Sequence, residues 1–432
     1  MDDYDNRKST KEFLDSNYSP TFCIKPFTEI CNTARGGMKV CCETNLNTLQ
    51  HEEMVDTTYV NEFFNNEKFK QIREAMLKGD RIDACRNCYE WEDSGGHSMR
   101  LEYTNSLVKH NKQLVDKLFK TGNPIVKSLD LKMGNKCNLA CVMCSPSSSS
   151  LIGKERQQHP PSKETGLQTG SGKQIQVDFD QDQFEEIKKY AADIILVKST
   201  GGEPMLLPGF KNLLEYLVEN GFSKNIKFTA VTNGTVDFSS YLHLMNEFKD
   251  FDIQWSIDGI GDTYNFVRYP GNWNSVSRKH RRIMKAIKDN NYENVYVGAN
   301  TTVSVYNIHQ MTDILSYLHD DLKINGTADF NIVRQPEFMS PSLAPREIID
   351  KTLKSFEEKS YQLLDKGIDL GDKHGIPALI LSKVKEIDSD LKKKNQLVSQ
   401  LHAVNTYWKD VRNQDAYDYI PFLKDIKNEN SA

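Results

Sequence analysis

Three cysteines within eight residues constrain the fold of this 432-residue chain more than any other feature. Cys137, Cys141 and Cys144 have the spacing C-x3-C-x2-C and follow an apolar run, 126–133, that is typical of a β-strand. Three thiolates on one short loop can bind three corners of an iron–sulfur cluster whose full ligation takes four thiolates, which leaves one iron open. The spacing alone also allows three buried cysteines or half a zinc site, although zinc prefers C-x2-C pairs and a closed tetrahedron.

From Val126 onward, short apolar runs alternate with segments of helical spacing. The predicted strands are 126–133, 193–200, 226–232, 251–258, 295–303 and 328–335. The predicted helices between them are 180–192, 208–220, 238–248, 274–290 and 308–322. Such alternation indicates βαβ units and a parallel sheet. The fold class is therefore α/β, with a partial (β/α)6 barrel whose site lies at the strand carboxyl ends. A doubly wound open sheet is the alternative.

The composition changes along the chain predict three regions. Residues 1–124 are polar and rich in cysteine, with predicted helices at 61–80 and at about 105–121. Residues 125–336 form the barrel, and residues 337–432 form a helical extension. Within the barrel, residues 145–174 are rich in Ser, Gly, Pro and Gln and are expected to form a long loop.

The residues around the three cysteines resemble the radical S-adenosylmethionine (SAM) superfamily, which carries C-x3-C-x-Φ-C after its first barrel strand. STGGEP (199–204), after the second predicted strand, resembles the family's GGEP motif, which holds the methionine amino group of SAM. VTNGT (231–235) and WSIDG (255–259) are similar to family positions near the ribose and the methionyl carboxylate. The resemblance assigns SAM binding to Met143 (the Φ position), Gly201, Gly202, Glu203, Pro204, Asn233, Ser256 and Asp258.

The resemblance also implies the chemistry and the cofactors. SAM chelates the open iron of a [4Fe–4S] cluster on Cys137, Cys141 and Cys144, which are the expected catalytic residues. An electron from the reduced cluster releases a 5′-deoxyadenosyl radical, which abstracts hydrogen from a substrate. A reductase, a flavodoxin or a ferredoxin is the expected electron donor. Whether the enzyme is an oxidoreductase, an isomerase or a transferase is left open.

A second group of cysteines lies in the N-terminal region. Cys23 is followed after thirteen residues by Gly37 and four residues later by Cys42, and Cys85-x2-Cys88 comes downstream. This order resembles the C-x(9–15)-G-x4-C opening of twitch and SPASM domains, which bind auxiliary iron–sulfur clusters. The resemblance implies a second [4Fe–4S] cluster on Cys23, Cys42, Cys85 and Cys88. A zinc site on the same four thiolates is the alternative.

Cys31 and Cys41 are left over from both patterns. They are expected to be small buried side chains, and Cys41 is an alternative ligand beside Cys42. A third hypothesis makes one of them a hydrogen-atom donor to a substrate radical.

Composition limits the partners and the compartment. The net charge is −5, with both signs spread along the chain, which gives no case for nucleic-acid binding. The sequence has no apolar run of about 18 residues and no apolar N-terminal segment, so we expect a cytoplasmic protein without a membrane span.

The expected substrate is a peptide or protein, with a small molecule or nucleoside as the alternative. Arg334 and Gln335, at the end of the last predicted strand, are the expected substrate contacts. A zinc-binding scaffold without enzymatic activity is the hypothesis from a different class.

Overall fold

A computed structural model of the chain shows an α/β fold built on one mostly parallel sheet. It describes residues 3–33, 37–44, 59–93, 95–168, 178–179, 181–368, 370 and 375–427. The strands are β1 Glu29–Asn32, β2 Met38–Lys39, β3 Ser128–Lys132, β4 Leu196–Thr200, β5 Lys227–Thr232, β6 Asp250–Ser256, β7 Val295–Val303 and β8 Ala328–Ile332. Their order across the sheet is β2-β1-β3-β4-β5-β6-β7-β8. All pairs are parallel except β1 with β2.

Helices connect the strands and extend both ends of the chain. They are α1 Asp3–Asn17, α2 Lys25–Thr28, α3 Val60–Asn65, α4 Glu67–Lys78, α5 Arg86–Asp93, α6 Met99–Thr121, α7 Ser150–Gln158, α8 Gln181–Lys188, α9 Pro208–Glu219, α10 Leu242–Met245, α11 Gly261–Val267, α12 Trp273–Asp289, α13 Met311–Ser316, α14 Arg346–Asp365, α15 Gly375–Asp388, α16 Leu391–Arg412 and α17 Ala416–Tyr419. None of these helices is long and apolar enough to cross a membrane.

The two faces of the sheet differ because successive side chains of a strand point to opposite sides. On one face, Leu129, Val197 and Phe228 are buried in the main hydrophobic core. The alternate positions, such as Asp130 and Lys198, are polar. One face is therefore packed and the other is a polar inner surface, as in a partial barrel and unlike the doubly wound alternative.

The six predicted barrel strands are confirmed as β3 to β8, which lie within or close to the predicted ranges. The sheet has two further strands, because β1 and β2 of the N-terminal region extend it beyond β3. The predicted boundary at residues 124/125 thus falls between segments that share one sheet, and the three-region division stays a prediction.

Local signals explain two differences in the helices. The predicted helix at 61–80 is two helices, because the Asn66 side chain accepts a hydrogen bond from the Lys68 N–H and begins α4. That helix ends at Gly79, whose φ of +89° favours glycine. The predicted loop at 145–174 contains α7, and residues 169–177 lie outside the described part of the chain.

Candidate metal centres

The loop after β3 brings Cys137, Cys141 and Cys144 to the carboxyl edge of the sheet. Two backbone hydrogen bonds fix this loop to the end of α11 and the residues after it: Ala140 N donates to Tyr269 O at 2.6 Å and Val142 N to Val267 O at 2.9 Å. The apolar side chains of the loop are buried with them. The peptide packing therefore holds the three thiols at one end of the strands.

The three thiols share one electrostatic environment. Burial raises the pKa of Cys137 to about 11 and that of Cys144 to about 12, and it also raises the pKa of Cys141. The neighbouring thiols raise the pKa of Cys144 further, whereas Arg268 lowers the pKa of all three thiols. Positive charge close to all three would favour their thiolate forms, the forms that bind metal.

The donor set fits an open iron–sulfur cluster. All nine cysteines are free thiols. Cys137 Sγ already faces two N–H donors, the Leu139 backbone at 3.5 Å and Asn233 Nδ2 at 3.8 Å. Such donors to sulfur accompany iron–sulfur ligation and tune it. The three sulfurs do not all lie within 4.8 Å of one another, as the ligands of a single metal ion would. Ligands that bind separate corners of a cubic cluster can lie farther apart.

The Gly-Gly-Glu-Pro turn packs directly on the cysteine loop. Gly201 and Gly202 have φ of +82° and +52°, and a Cβ at Gly202 would lie 2.4 Å from Lys136 O. Glu203 N donates to the same carbonyl at 2.9 Å. Only glycine permits this approach, so the turn expected to hold SAM lies beside the thiols.

The Glu203 carboxylate joins the turn after β4 to the end of β5. It is fully buried and accepts hydrogen bonds from Met205 N at 3.1 Å, Thr232 Oγ1 at 2.6 Å and Asn233 N at 2.6 Å. Burial raises its pKa, and these three bonds oppose the shift. Pro204 is buried behind it. In this structure the side chain of Glu203 braces the site.

We expect Glu203→Ala to lower the free energy of unfolding by about 2–5 kcal/mol, because buried donors at Thr232 and Asn233 lose their acceptor. Glu203→Gln keeps one acceptor oxygen and should lower the free energy of unfolding by less. Urea unfolding followed by tryptophan fluorescence measures both. An alanine variant as stable as the wild type would contradict the bracing role.

Asn233 connects β5 to the cysteine loop. Its Nδ2 donates to Asn138 Oδ1 at 3.0 Å, and Asn138 Nδ2 in turn donates to Thr235 Oγ1 at 2.8 Å.

Two other residues assigned to SAM lie on the same edge. Met143 is partly buried against the main core, and Ser256 ends β6 beside Asn300 of β7. The residues assigned to SAM thus lie on the strand ends and loops of one edge.

A buried ion pair that the sequence did not reveal lies next to the thiols. Arg268 Nη2 is 2.5 Å from Asp258 Oδ2, and Asp258 Oδ1 accepts from Thr302 N at 2.7 Å. Arg268 Nε has no partner among the described residues, although it is buried. Asp258 was expected here, whereas no motif marks Arg268. This arginine is the cation that faces all three thiols.

The two expected substrate residues lie apart. Arg334 is largely exposed and its Nη1 is 2.8 Å from Glu43 Oε2, next to the second group of cysteines. Gln335 instead lines a polar groove of about 250 Å³ against Phe338 and Gln400. The structure therefore does not bring them together at the barrel mouth.

The second group of thiols lines a cavity between α2, α5 and the segment after β2. The cysteines in its wall are Cys23, Cys41, Cys85 and Cys88. Cys42 is absent from this wall. Burial, followed by Asp130, Cys41 and Glu29, raises the pKa of Cys42, and Lys25 lowers it. Cys41, the alternative ligand beside Cys42, therefore shares this cavity with Cys23, Cys85 and Cys88, and the ligand set stays a prediction.

These four thiols also influence one another. Burial raises the pKa of Cys85 and that of Cys88, the latter to about 12, and in both cases Cys41 is the next cause. Burial followed by Cys41 likewise raises the pKa of Cys23. Arg100 lies in the same wall, where its Nη2 pairs with Glu92 Oε2 at 2.5 Å. Four thiols around one cavity match the four thiolates of a closed cluster, and also the four ligands of a zinc site.

Cys31 belongs to neither group of thiols. It lies on β1, and its Sγ is within 4.8 Å of carboxylate oxygens of Glu29 and Asp130. His97, which is close in sequence to Cys88, pairs with Glu102 at 3.0 Å and does not face the cavity.

The described strands form a partial barrel that presents the three-cysteine loop and the Gly-Gly-Glu-Pro turn at one edge. Residues 131–318 match the radical SAM superfamily. The chain therefore carries a radical SAM domain, and this family implies a [4Fe–4S] cluster and SAM. No curated protein is significantly similar to the chain in sequence.

Two solved structures are similar to parts of the chain. TsrM from Kitasatospora setae, a radical SAM methyltransferase with cobalamin and a [4Fe–4S] cluster bound, matches at 12% identity with a TM-score of 0.32, over 48% of this chain and 36% of that one. SuiB from Streptococcus suis, bound to its precursor peptide SuiA, matches at 13% identity with a TM-score of 0.32, over 63% of this chain and 65% of that one. The chain thus covers about a third of TsrM and somewhat under two thirds of SuiB, and likenesses this weak carry no argument about activity.

Proposed function

We propose that this radical SAM enzyme modifies a peptide or protein and that it holds a second [4Fe–4S] cluster in its N-terminal region. The observation that carries the proposal is the presence of two separate groups of buried and half-buried thiols beside one sheet. Three thiols follow β3, and four line the cavity between α2 and α5. Within the proposal, residues 1–124 form the auxiliary domain, 125–336 the barrel and 337–432 the helical extension.

The first group would hold the cluster that binds SAM, through Cys137, Cys141 and Cys144. With one iron open, the cluster and SAM together supply a 5′-deoxyadenosyl radical that abstracts hydrogen from the substrate. The protein itself positions the cofactors and the substrate and excludes water from the site. Gly201 and Gly202 allow the turn to approach the loop, and the Asp258–Arg268 pair supplies fixed charge beside the thiols.

The second group would hold the auxiliary cluster through Cys23, Cys41, Cys85 and Cys88. A closed [4Fe–4S] cluster takes four thiolates, and these four are the ones that share a cavity. Arg100 and Lys25 lie in the same wall, each paired with a glutamate. Whether such a cluster accepts an electron or braces the fold is left open.

The position of β8 at the end of the sheet favours a peptide substrate over a small molecule. β8 is paired with β7 alone among the described strands, and its Asp329 and Asn331 are exposed. An extended peptide can add to such an edge through main-chain hydrogen bonds. A closed barrel would admit only compact ligands.

The test uses full-length protein reconstituted with iron and sulfide without oxygen, reduced with dithionite and supplied with SAM. We expect a fraction of cellular peptides to raise the rate of 5′-deoxyadenosine formation and to contain a product of changed mass. Cys141→Ala, treated in the same way, should produce neither. Stimulation by the small-molecule or nucleoside fraction alone would overturn the peptide assignment.

A further inference from the structure

Seven side chains in lateral register cross the inner face of the sheet. From β2 to β7 they are Lys39, Cys31, Asp130, Lys198, Thr229, Asp252 and Tyr296. The neighbouring positions Ile30, Leu129 and Val197 lie in the main core on the other face. The inner face therefore carries a continuous polar row below the carboxyl edge of the sheet.

A buried ion pair lies on the inner face at β1, next to this row. Lys25 of α2 pairs with Glu29 of β1, and its ammonium lies 3.7 Å from the ring centroid of Tyr103 on α6. Both charged side chains are 2% exposed. This lysine and this carboxylate therefore neutralise each other.

On β1 to β4, three other lysines accompany one remaining carboxylate. Farther along the inner face, Asp252 pairs with Lys227. Burial raises the pKa of Asp329 on β8, and Lys198 lowers it. Lys39, Lys132 and Lys198 lie on the inner face with Asp130. Lys39 Nζ donates to Cys42 O at 3.2 Å, whereas the ammonium groups of Lys132 and Lys198 make no hydrogen bond or ion pair within the described chain. Lys198 is in register with Asp130, yet Asp130 Oδ2 is buried without a partner. Charged groups in such surroundings are normally paired.

The charge balance argues against a metal ion at this place. Glu29, Cys31 and Asp130 have donor atoms within 4.8 Å of one another, as a divalent cation needs. Lys25 already neutralises Glu29, however. Lys132 and Lys198, whose ammonium groups have no partner among the described residues, lie on β3 and β4, and β3 also carries the remaining carboxylate, Asp130. A further cation would be repelled, and an anion would be attracted.

We propose that this part of the inner face binds a carboxylate of the substrate through Lys132 and Lys198, so that an aspartate or glutamate side chain of the peptide is recognised. The inference rests on the proposed function for the identity of the substrate as a peptide. Lys132 ends β3 at the start of the cysteine loop, whereas Lys198 lies farther from that edge. A substitution of Lys198 therefore tests binding of a substrate carboxylate, as distinct from the carboxylate of SAM.

The experiment is titration calorimetry on the full chain with its clusters and saturating SAM, without turnover. The probes are N-acetyl-glutamate amide and the neutral N-acetyl-glutamine amide. We expect the glutamate probe to bind at least about tenfold more tightly than the glutamine probe. Lys198→Met should weaken its binding about tenfold to a hundredfold, as for loss of a hydrogen bond to a charged group. Lys198→Arg keeps the charge and should retain most of the affinity.

Lys249→Met is the matched control, since Lys249 is an exposed lysine outside the inner face. Equal affinity for the two probes, or an affinity that Lys198→Met does not change, would overturn the inference. Inorganic phosphate that binds as tightly as the glutamate probe would overturn the assignment to a carboxylate. Glutamate binding without peptide modification would count against the proposed function alone, and peptide modification without glutamate binding against this inference alone.

Discussion

Cys141→Ala abolishes SAM cleavage if the loop after β3 holds the catalytic cluster, and Cys137→Ala and Cys144→Ala do the same. Three thiolates are the minimum that leaves one iron open and three held, so no remaining cysteine of the loop can substitute for a lost one. Loss of an outer-shell partner of a metal site already costs about 10- to 100-fold. We therefore expect the rate to fall by more than about a hundredfold.

The measurement is chromatography of 5′-deoxyadenosine formed by reconstituted, dithionite-reduced protein. Iron content should fall by about four atoms per chain in the same variants, as for one [4Fe–4S] cluster. Lys136→Ala is the control within the loop, because the Lys136 side chain is exposed and only its carbonyl is used. Full SAM cleavage by any of the three cysteine variants would refute the assignment of the loop.

The barrel could be predicted from the sequence because its signals are local. The strands from β3 to β8 alternate between core and inner positions, and helices separate them. The cysteine loop and the Gly-Gly-Glu-Pro turn each follow a strand, so their meeting at one edge follows from the parallel order. The turn also needs glycine at two positions with positive φ, and the sequence has Gly201 and Gly202 at these positions.

Strands β1 and β2 could not be predicted for a physical reason. Their inner positions are Glu29, Cys31 and Lys39, which are all less than 9% exposed although two are charged. A strand that faces a polar lumen lacks the apolar alternation by which strands are recognised. Their place in the sheet depends on pairing with β3, about one hundred residues downstream.

Two other features depend on contacts between distant segments. Arg268 reaches Asp258 only because the chain turns back after α11 onto the cysteine loop. Arg334 pairs with Glu43, 291 residues away in sequence, so its position at a strand end did not indicate its partner. Neither contact has a local pattern.

The choice between Cys41 and Cys42 shows where a motif becomes ambiguous. Gly36 and Gly37 are adjacent, as are the two cysteines, so Gly-x4-Cys fits both Gly36 with Cys41 and Gly37 with Cys42. Gly36 lies outside the described residues, but both cysteines lie within them. Cys41 lines the four-thiol cavity, and the pKa of Cys42 responds to Asp130 of the inner face.

Cys41→Ala and Cys42→Ala therefore form a matched pair with opposite expected results. If the second cluster is held by Cys23, Cys41, Cys85 and Cys88, the iron content of Cys41→Ala should fall from about eight to about four atoms per chain. Cys42→Ala should keep about eight. The two substitutions remove the same atoms from neighbouring positions, so a general effect on folding would not separate them.

The measurement is iron and sulfide content with the visible spectrum after reconstitution without oxygen. Cys85→Ala and Cys88→Ala should match Cys41→Ala. Zinc in the wild type that all three variants lose would identify the site as a zinc site. Reductive SAM cleavage should persist in Cys41→Ala, since the loop after β3 is intact. Loss of four irons in Cys42→Ala, with Cys41→Ala unchanged, would instead return the fourth ligand to the residue that the motif first indicated.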